Sequence, residues 1–431
     1  MLYYSTNNSS ERVDFKEATM LGQAPDGGLY FPERIPLVPD EIIRNLSGFE
    51  PAELAFQVIA PYVGSLIPEK ELRQIVAETV DFPFPLVHIT DNIHALELYH
   101  GPTLAFKDVG ARFMSRCLSY FIRDSGQKIT VLVATSGDTG SAVANGFFGV
   151  AGIEVVILYP SGKVSMVQEL QLTTYGGNIT ALEIDGSFDD CQRLVKQAFR
   201  DEELRKQCAL TSANSINVAR WLPQQFYYFF ALRAWAHKDQ PPVIAVPSGN
   251  FGNLCAGLIA HLSGLPVAHF VAACNSNDVV TAYLNGEGYH PKAPVVTMSN
   301  AMDVADPSNF VRMLELFHDD VNAMQARVTG YTISEEATRM AISEVHTDTG
   351  YIMDPHGAVA YAGLQQYLRE HGQQPGILLE TAAPIKFADV VEPIIGKKIA
   401  IPATLASLYN KEKQSIKLKG TYAVLKEFLL K

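Results

Sequence analysis

Twice in this chain an apolar run ends in a glycine-rich turn that opens a helix. Residues 129–134 read ITVLVA and lead into Thr135-Ser136-Gly137-Asp138-Thr139-Gly140; residues 243–246 read VIAV and lead into Pro247-Ser248-Gly249-Asn250-Phe251-Gly252-Asn253. An apolar run without alternation fits a strand covered on both faces, and a strand that runs directly into a helix fits a parallel sheet. The rhythm continues in IEVVILYP (residues 153–160), NITALEID (178–185) and AHFVAAC (268–274), each followed by a helical pattern. The expected fold class is α/β, with two doubly wound open-sheet units.

Where such a strand turns into a helix, backbone N–H groups without partners and the positive end of the helix dipole converge on one point, a seat for phosphate or carboxylate. Two such seats in one chain raise the question of what lies between them. A candidate is Lys107, in His100-Gly101-Pro102-Thr103-Leu104-Ala105-Phe106-Lys107-Asp108. Gly101-Pro102 is turn chemistry, Thr103 is able to cap, and Phe106, Gly110 and Phe113 begin a helix-period apolar face, so the lysine falls near the mouth of a helix. The helix dipole disfavours its ammonium there and favours the neutral amine, the form that attacks carbonyl carbon. A Schiff-base lysine between two anion seats suggests a phosphorylated aldehyde cofactor held at one end and an amino-acid carboxylate at the other.

Together HGPTLAFKD, TSGDTG, SANSIN (residues 212–217), PSGNFGN and DGGLYFP (residues 26–32) resemble the threonine synthase family, over residues 20–390 and in the family's order. The resemblance implies a pyridoxal-phosphate enzyme of fold type II, like the β subunit of tryptophan synthase, with a small extra N-terminal domain. The expected division is 1–80 for that domain, 81–240 for a first α/β domain carrying the lysine and the carboxylate loop, and 241–431 for a second α/β domain with the cofactor-phosphate loop and a C-terminal tail. It also implies Lys107 as the catalytic lysine, Gly249, Asn250, Phe251, Gly252 and Asn253 as the phosphate cradle, and Thr381 as the hydroxyl facing the pyridine nitrogen. Ser136, Gly137, Asp138 and Thr139 would receive the substrate carboxylate, with Asn214, Ser215 and Asn217 nearby. Asp138 is awkward beside a carboxylate, and helix capping or loop orientation is its alternative role. His356, in Asp354-Pro355-His356-Gly357, is expected to start a helix.

The implied reaction takes O-phospho-L-homoserine and water to L-threonine and phosphate by γ-elimination and β-addition. The chain departs from the family at Ala383, in Glu380-Thr381-Ala382-Ala383-Pro384-Ile385-Lys386-Phe387, where many members have histidine. Two alternatives stay open: the same fold acting as a lyase that yields α-ketobutyrate, and a cofactor-binding scaffold without catalysis.

The charge balance, Lys+Arg 34 against Asp+Glu 46 for a net −12, disfavours nucleic acid and acidic membranes as partners. It also repels an anionic substrate, so a phosphate group needs a local basic pocket, for which Lys163, Arg220 and Lys386 are candidates. The five cysteines are widely spaced, without metal-site or disulfide pairing, and no export signal or membrane span is legible. The expectation is a cytoplasmic monomer or homodimer without a metal. Phe226, Tyr227, Tyr228, Phe229 and Phe230 run all round one expected helix, residues 218–236, which implies burial between domains. The basic residues 411–420 read as the start of a solvated tail.

Overall fold

The computed structural model describes residues 1–90, 92–124, 126 and 128–430. Thirteen strands are present among them: β1 (Tyr3–Ser5), β2 (Tyr30–Pro32), β3 (Leu86–Thr90), β4 (Ile93–Glu97), β5 (Ile129–Ala134), β6 (Ile153–Pro160), β7 (Ile179–Asp185), β8 (Leu210–Ser212), β9 (Val243–Pro247), β10 (His269–Cys274), β11 (Val328–Thr332), β12 (Gly376–Glu380) and β13 (Ser415–Lys419). A five-stranded parallel sheet has the order β13-β7-β6-β5-β8, and a six-stranded sheet the order β11-β10-β9-β12-β4-β3, parallel except for the β3–β4 pair. The two runs that lacked alternation, β5 and β9, are interior strands of these sheets. Helices on both faces bury them, so no residue of β9 faces water.

The sheets do not follow the expected division at residue 240. β4 lies beside β12, with Leu96 opposite Leu379, although it precedes β5 in the chain, and β13 returns from the C-terminus to lie beside β7, with Ser415 opposite Ala181. Hydrophobic periodicity marks an element and leaves its partner open.

The expected solvated tail packs on the surface through β13, which stays largely exposed. Lys413 Nζ lies 2.6 Å from Glu169 and 2.7 Å from the buried Glu183, drawing the basic segment onto the sheet edge. The helix Tyr422–Leu429 then packs on the helix Phe188–Arg200. The expected long aromatic helix is interrupted: Pro223 cannot donate to the ladder, and a short tight turn at Leu222–Gln224 separates the helix Val218–Trp221 from the helix Gln225–Ala234. Its five aromatics are all buried, as expected.

Residues 1–80 form the β1–β2 pair and four helices, Phe15–Leu21, Asp40–Arg44, Pro51–Val63 and Glu69–Thr79. They share one apolar core with the helix Lys107–Ile122 and the buried aromatics Trp221 and Phe226. Residues 20, 21 and 23–29 are thereby held against the two sheet units, where they line a central cavity.

Candidate active site

The strands β5, β8, β9 and β12 all end, at their carboxyl ends, on one cavity of about 880 Å³. Open α/β sheets bind ligands at this edge. Lys107 is the first residue of the helix Lys107–Ile122, and the loop before it is tied to β12: Phe106 N donates to Thr381 O at 2.8 Å, and Tyr227 Oη donates to Phe106 O. Leu104 takes a left-handed φ of 57° to make that approach, and the buried Asp108 accepts from Thr103 N at 2.9 Å and from Thr103 Oγ1 at 2.5 Å. Burial lifts the Asp108 carboxyl to about 6.

Lys107 Nζ opens into the cavity with no ion pair or hydrogen bond among the described residues. Desolvation lowers its ammonium to about 8; Asp138 opposes that effect, and Arg220 and Lys386 add to it. The neutral amine required of a carbonyl nucleophile is therefore accessible near neutral pH.

On one side lies the turn after β5. Thr135 Oγ1 accepts from Gly137 N at 2.9 Å and from Gly140 N at 2.8 Å, folding the loop so that Ser136, Asp138 and Thr139 face the cavity. Gly137 has a φ of 139°, and a Cβ there would lie 2.3 Å from the Gln168 side chain, which in turn donates to Asp138 Oδ1 at 2.9 Å. Asp138 also meets Lys386 Nζ at 2.7 Å. Burial raises its pKa, but Lys386 and Lys107 outweigh that and keep it ionised well below the usual carboxylate range.

On the other side is the turn after β9. Phe251 adopts a φ of 61° immediately before the helix Gly252–Leu262, and a Cβ on Gly249 would lie 2.5 Å from Met302 Cα. A side chain at 249 is excluded, and the first-turn amides of the helix are left to bind an anion. Asn250 Nδ2 donates to Ser215 Oγ at 3.1 Å, and Asn250 Oδ1 accepts from Ser308 N at 2.7 Å, so the turn is braced from two other loops.

The cavity brings together Lys107, Ser136, Asp138, Thr139, Asn214, Ser215, Arg220, residues 249–253 and Thr381. Four anticipated residues lie off it. Gly137 shapes the loop behind its wall; Asn217 is buried, donating to Thr19 O at 2.9 Å and accepting from Ala219 N at 2.9 Å. Lys163 is exposed on the surface. Lys386 is engaged by Asp138 and donates to Thr103 O at 2.8 Å, so it neutralises a protein carboxylate and is not free for a substrate anion. Arg220 remains: buried, donating to Ala213 O at 2.6 Å, with its Nε unpartnered.

Three further contributions come from residues outside the anticipated site, of which only Arg312 was not singled out in the sequence. Asp26-Gly27-Gly28 reaches the cavity, pinned by Ser5 Oγ donating to Asp26 Oδ1 at 2.6 Å. Arg312, fully buried, donates to the carbonyls of Ser215 at 2.8 Å, Ile216 at 2.6 Å and Tyr30 at 3.2 Å, and lies 4.0 Å from the Trp221 ring centroid. His356 does begin a helix, Pro355–His371, but it also lines the cavity. Its Nδ1 is 2.5 Å from Asp354 Oδ1, its Nε2 accepts from Ala301 N at 3.2 Å, and these two bonds place the ring proton on Nδ1. The signal was the Asp-Pro-His spacing, which puts the aspartate at a helix cap.

Behind His356 stands Glu380, fully buried beside Asp354. Burial first, and then the adjoining Asp354 carboxylate, push its pKa well above the ordinary carboxylate range, favouring its protonated form. Gly357 makes room for it: a Cβ there would lie 2.1 Å from Glu380 Oε1.

No helix among the described residues is long and apolar enough to cross a membrane, and no group of three or more His, Cys, Asp or Glu among them is placed to hold a metal.

An unpaired lysine in the first turn of a helix, facing a glycine phosphate cradle and a strand-end threonine, fits pyridoxal phosphate, and with two open parallel sheets it defines a pyridoxal-phosphate-dependent enzyme of fold type II. Residues 83–379 match the family described as pyridoxal-phosphate dependent enzyme, residues 2–80 the threonine synthase N terminus, and residues 357–429 the threonine synthase C-terminal family. The chain is 42% identical to the threonine synthase of Serratia marcescens over 432 residues, covering 100% of this chain and 99% of that one. The crystal structure of threonine synthase from Escherichia coli superposes with a TM-score of 0.92 at 39% identity, covering 100% of this chain and 99% of that one. That of pyridoxal-phosphate-bound threonine synthase from Brucella melitensis superposes with a TM-score of 0.93 at 34% identity and the same coverage. This chain belongs to the threonine synthase family.

Proposed function

We propose that this chain converts O-phospho-L-homoserine and water to L-threonine and phosphate, with Lys107 as its catalytic residue. The observation that carries the reading is the unpaired, desolvated amine of Lys107 between two anion-accepting turns. When bound, pyridoxal phosphate supplies an aldehyde for that amine and a ring that withdraws electrons from the substrate's α carbon. Lys107 Nζ and the amides of residues 249–253 would hold it, with the Thr381 hydroxyl as a neutral partner for its ring.

Ser136 and Thr139 bind the substrate carboxylate through N–H and hydroxyl donors. Asp138 is kept from repelling that carboxylate because Lys386 neutralises it. Arg220, a cavity-lining cation, is the candidate for the substrate phosphate. Lys107 Nζ, basic near neutral pH, would take the proton from the α carbon and then one from the β carbon, whose electron pair expels phosphate from the γ carbon; protons return to the γ carbon and, once water has added at the β carbon, to the α carbon. Asn214 and Ser215, tied to both sheets, set the wall against which the β carbon meets water. The compartment we assign is the cytoplasm.

The test is an endpoint assay of purified holoenzyme with O-phospho-L-homoserine, following phosphate, threonine and α-ketobutyrate together, alongside Lys107→Ala. Equal phosphate and threonine, lost in the variant, supports the reading. Phosphate with α-ketobutyrate makes the chain a lyase, and no phosphate overturns both.

A further inference from the structure

The cavity extends beyond the catalytic end. β8 is an outer strand, parallel to β5 with Leu210 beside Thr130, and the cavity is lined by Ser212 and Asn214 at its carboxyl end and by Ile129, Ala209 and Leu210 at its amino end. It therefore follows β8 across the sheet, roofed by residues 20, 21 and 23–25. One stripe of the helix Phe188–Arg200 forms the far wall, with Gln192, Lys196, Phe199 and Arg200 at helical spacing, and the helix Glu202–Gln207 adds Arg205.

Every charged residue that residues 188–210 contribute to this lining is basic. Lys196, Arg200 and Arg205 are exposed, and none makes an ion pair or a side-chain hydrogen bond among the described residues. In a chain of net charge −12, these three cations, unpaired among the described residues, give this part of the cavity wall a local positive field, the neighbouring Asp201 and Glu203 being paired with Lys426. Low-dielectric walls focus such a field and raise the local concentration of the opposite charge.

We propose that this arm captures small phosphate anions: the phosphate monoester of the substrate on its way to Lys107, and inorganic phosphate on its way out. The proposal rests on the functional reading above, because it needs a phosphorylated substrate. It supplies the local basic path that the overall charge of the chain makes necessary, and it leaves the chemistry at Lys107 untouched.

The test compares K196Q/R200Q/R205Q with a control of equal charge loss, K292Q/K397Q/K411Q, whose lysines are exposed and line no part of the cavity. With holoenzyme and O-phospho-L-homoserine at low ionic strength, the arm variant loses about tenfold in kcat/KM while kcat holds, and the gap narrows as salt shortens the screening length to below about 10 Å. The control stays within about twofold of the parent. Inorganic phosphate titrated calorimetrically into the holoenzymes binds the arm variant more weakly than the control. A fall in kcat/KM without weaker phosphate binding restricts the arm to the monoester. Equal kcat/KM, equal salt dependence and equal phosphate binding in both variants overturn the proposal. If the parent releases no phosphate from O-phospho-L-homoserine, the functional reading has failed, and the calorimetry alone still decides whether the arm binds phosphate.

Discussion

Lys386 Nζ and Asp138 Oδ1 meet at 2.7 Å, far apart in the chain and both buried. Breaking a buried pair strands one charge in a poorly hydrated place, which costs more than the intact pair contributes. Asp138→Asn and Lys386→Met should each lower unfolding stability by roughly 3–5 kcal/mol, and the double variant should recover a large part of the loss. Denaturant titrations of the four proteins in a double-mutant cycle measure this; strictly additive losses would show that the pair is not coupled. Because Asp138 titrates well below an ordinary carboxylate, its stabilisation is present above pH 4 and lost as pH falls through the acid range.

Lys107 titrates at about 8 in place of the ordinary value of about 10.4. Between those two values the unfolded chain holds a proton that the folded chain has lost, so apoenzyme stability rises with pH across that window. In the apoenzyme, acylation of Lys107 followed by mass spectrometry should show a midpoint near pH 8. Replacing Asp138 with Asn removes the group that holds the ammonium and should move the midpoint lower. A midpoint near that of surface lysines would place the amine in water.

The Glu380 carboxyl is raised well above its ordinary range, by burial first and then by Asp354. The unfolded chain ionises this carboxyl above about pH 4.3 and the folded chain does not, so its contribution to stability declines as pH rises. Glu380→Gln, similar in shape and permanently neutral, should flatten the alkaline side of the stability profile and change stability at pH 5 by less than about 1 kcal/mol. Gly357→Ala should be worse at every pH, since its Cβ would enter the Glu380 carboxyl at 2.1 Å. Thermal unfolding from pH 5 to 9 separates the two.

The cavity-lining lysine and the two glycine turns were legible because each is built from neighbours in sequence: a strand, a glycine turn and a helix start. What closes the site was not. Lys386 reads as a basic residue available to phosphate, and only the return of β12 beside β4 shows that Asp138 already claims it. Lys163 follows a strand much as Ser136 does, but spacing does not reveal that it faces water. Strand exchange between the sheets was equally hidden, because β3, β4 and β13 carry ordinary strand patterns whichever sheet they join.

The departure at Ala383 has a packing explanation. Ala383 lies in a small apolar cluster with Leu104, Val167, Ile385 and Leu405. An imidazole there would be overpacked and short of partners, so Ala383→His should lower stability by about 1–3 kcal/mol. An unchanged melting temperature would mean that the cluster accommodates the ring.

Arg312 links the N-terminal segment to the loop of residues 214–217. It is fully buried without a carboxylate, and its guanidinium is lowered to about 9, chiefly by desolvation. It is held by the carbonyls of Tyr30, Ser215 and Ile216, by Asn309 Oδ1 at 2.7 Å and by the face of Trp221. Asn309 Nδ2 donates in turn to Ser215 Oγ at 2.9 Å, and Ser215 Oγ receives Asn250 of the phosphate turn. Lysine keeps the charge but has no planar fork with which to span these carbonyls. Arg312→Lys should therefore cost roughly 2–4 kcal/mol and raise hydrogen exchange at residues 214–217 and at the β1–β2 pair together. Faster exchange confined to residues 214–217 would show that the N-terminal segment is held by its apolar core alone, and that Arg312 serves that loop without coupling the two.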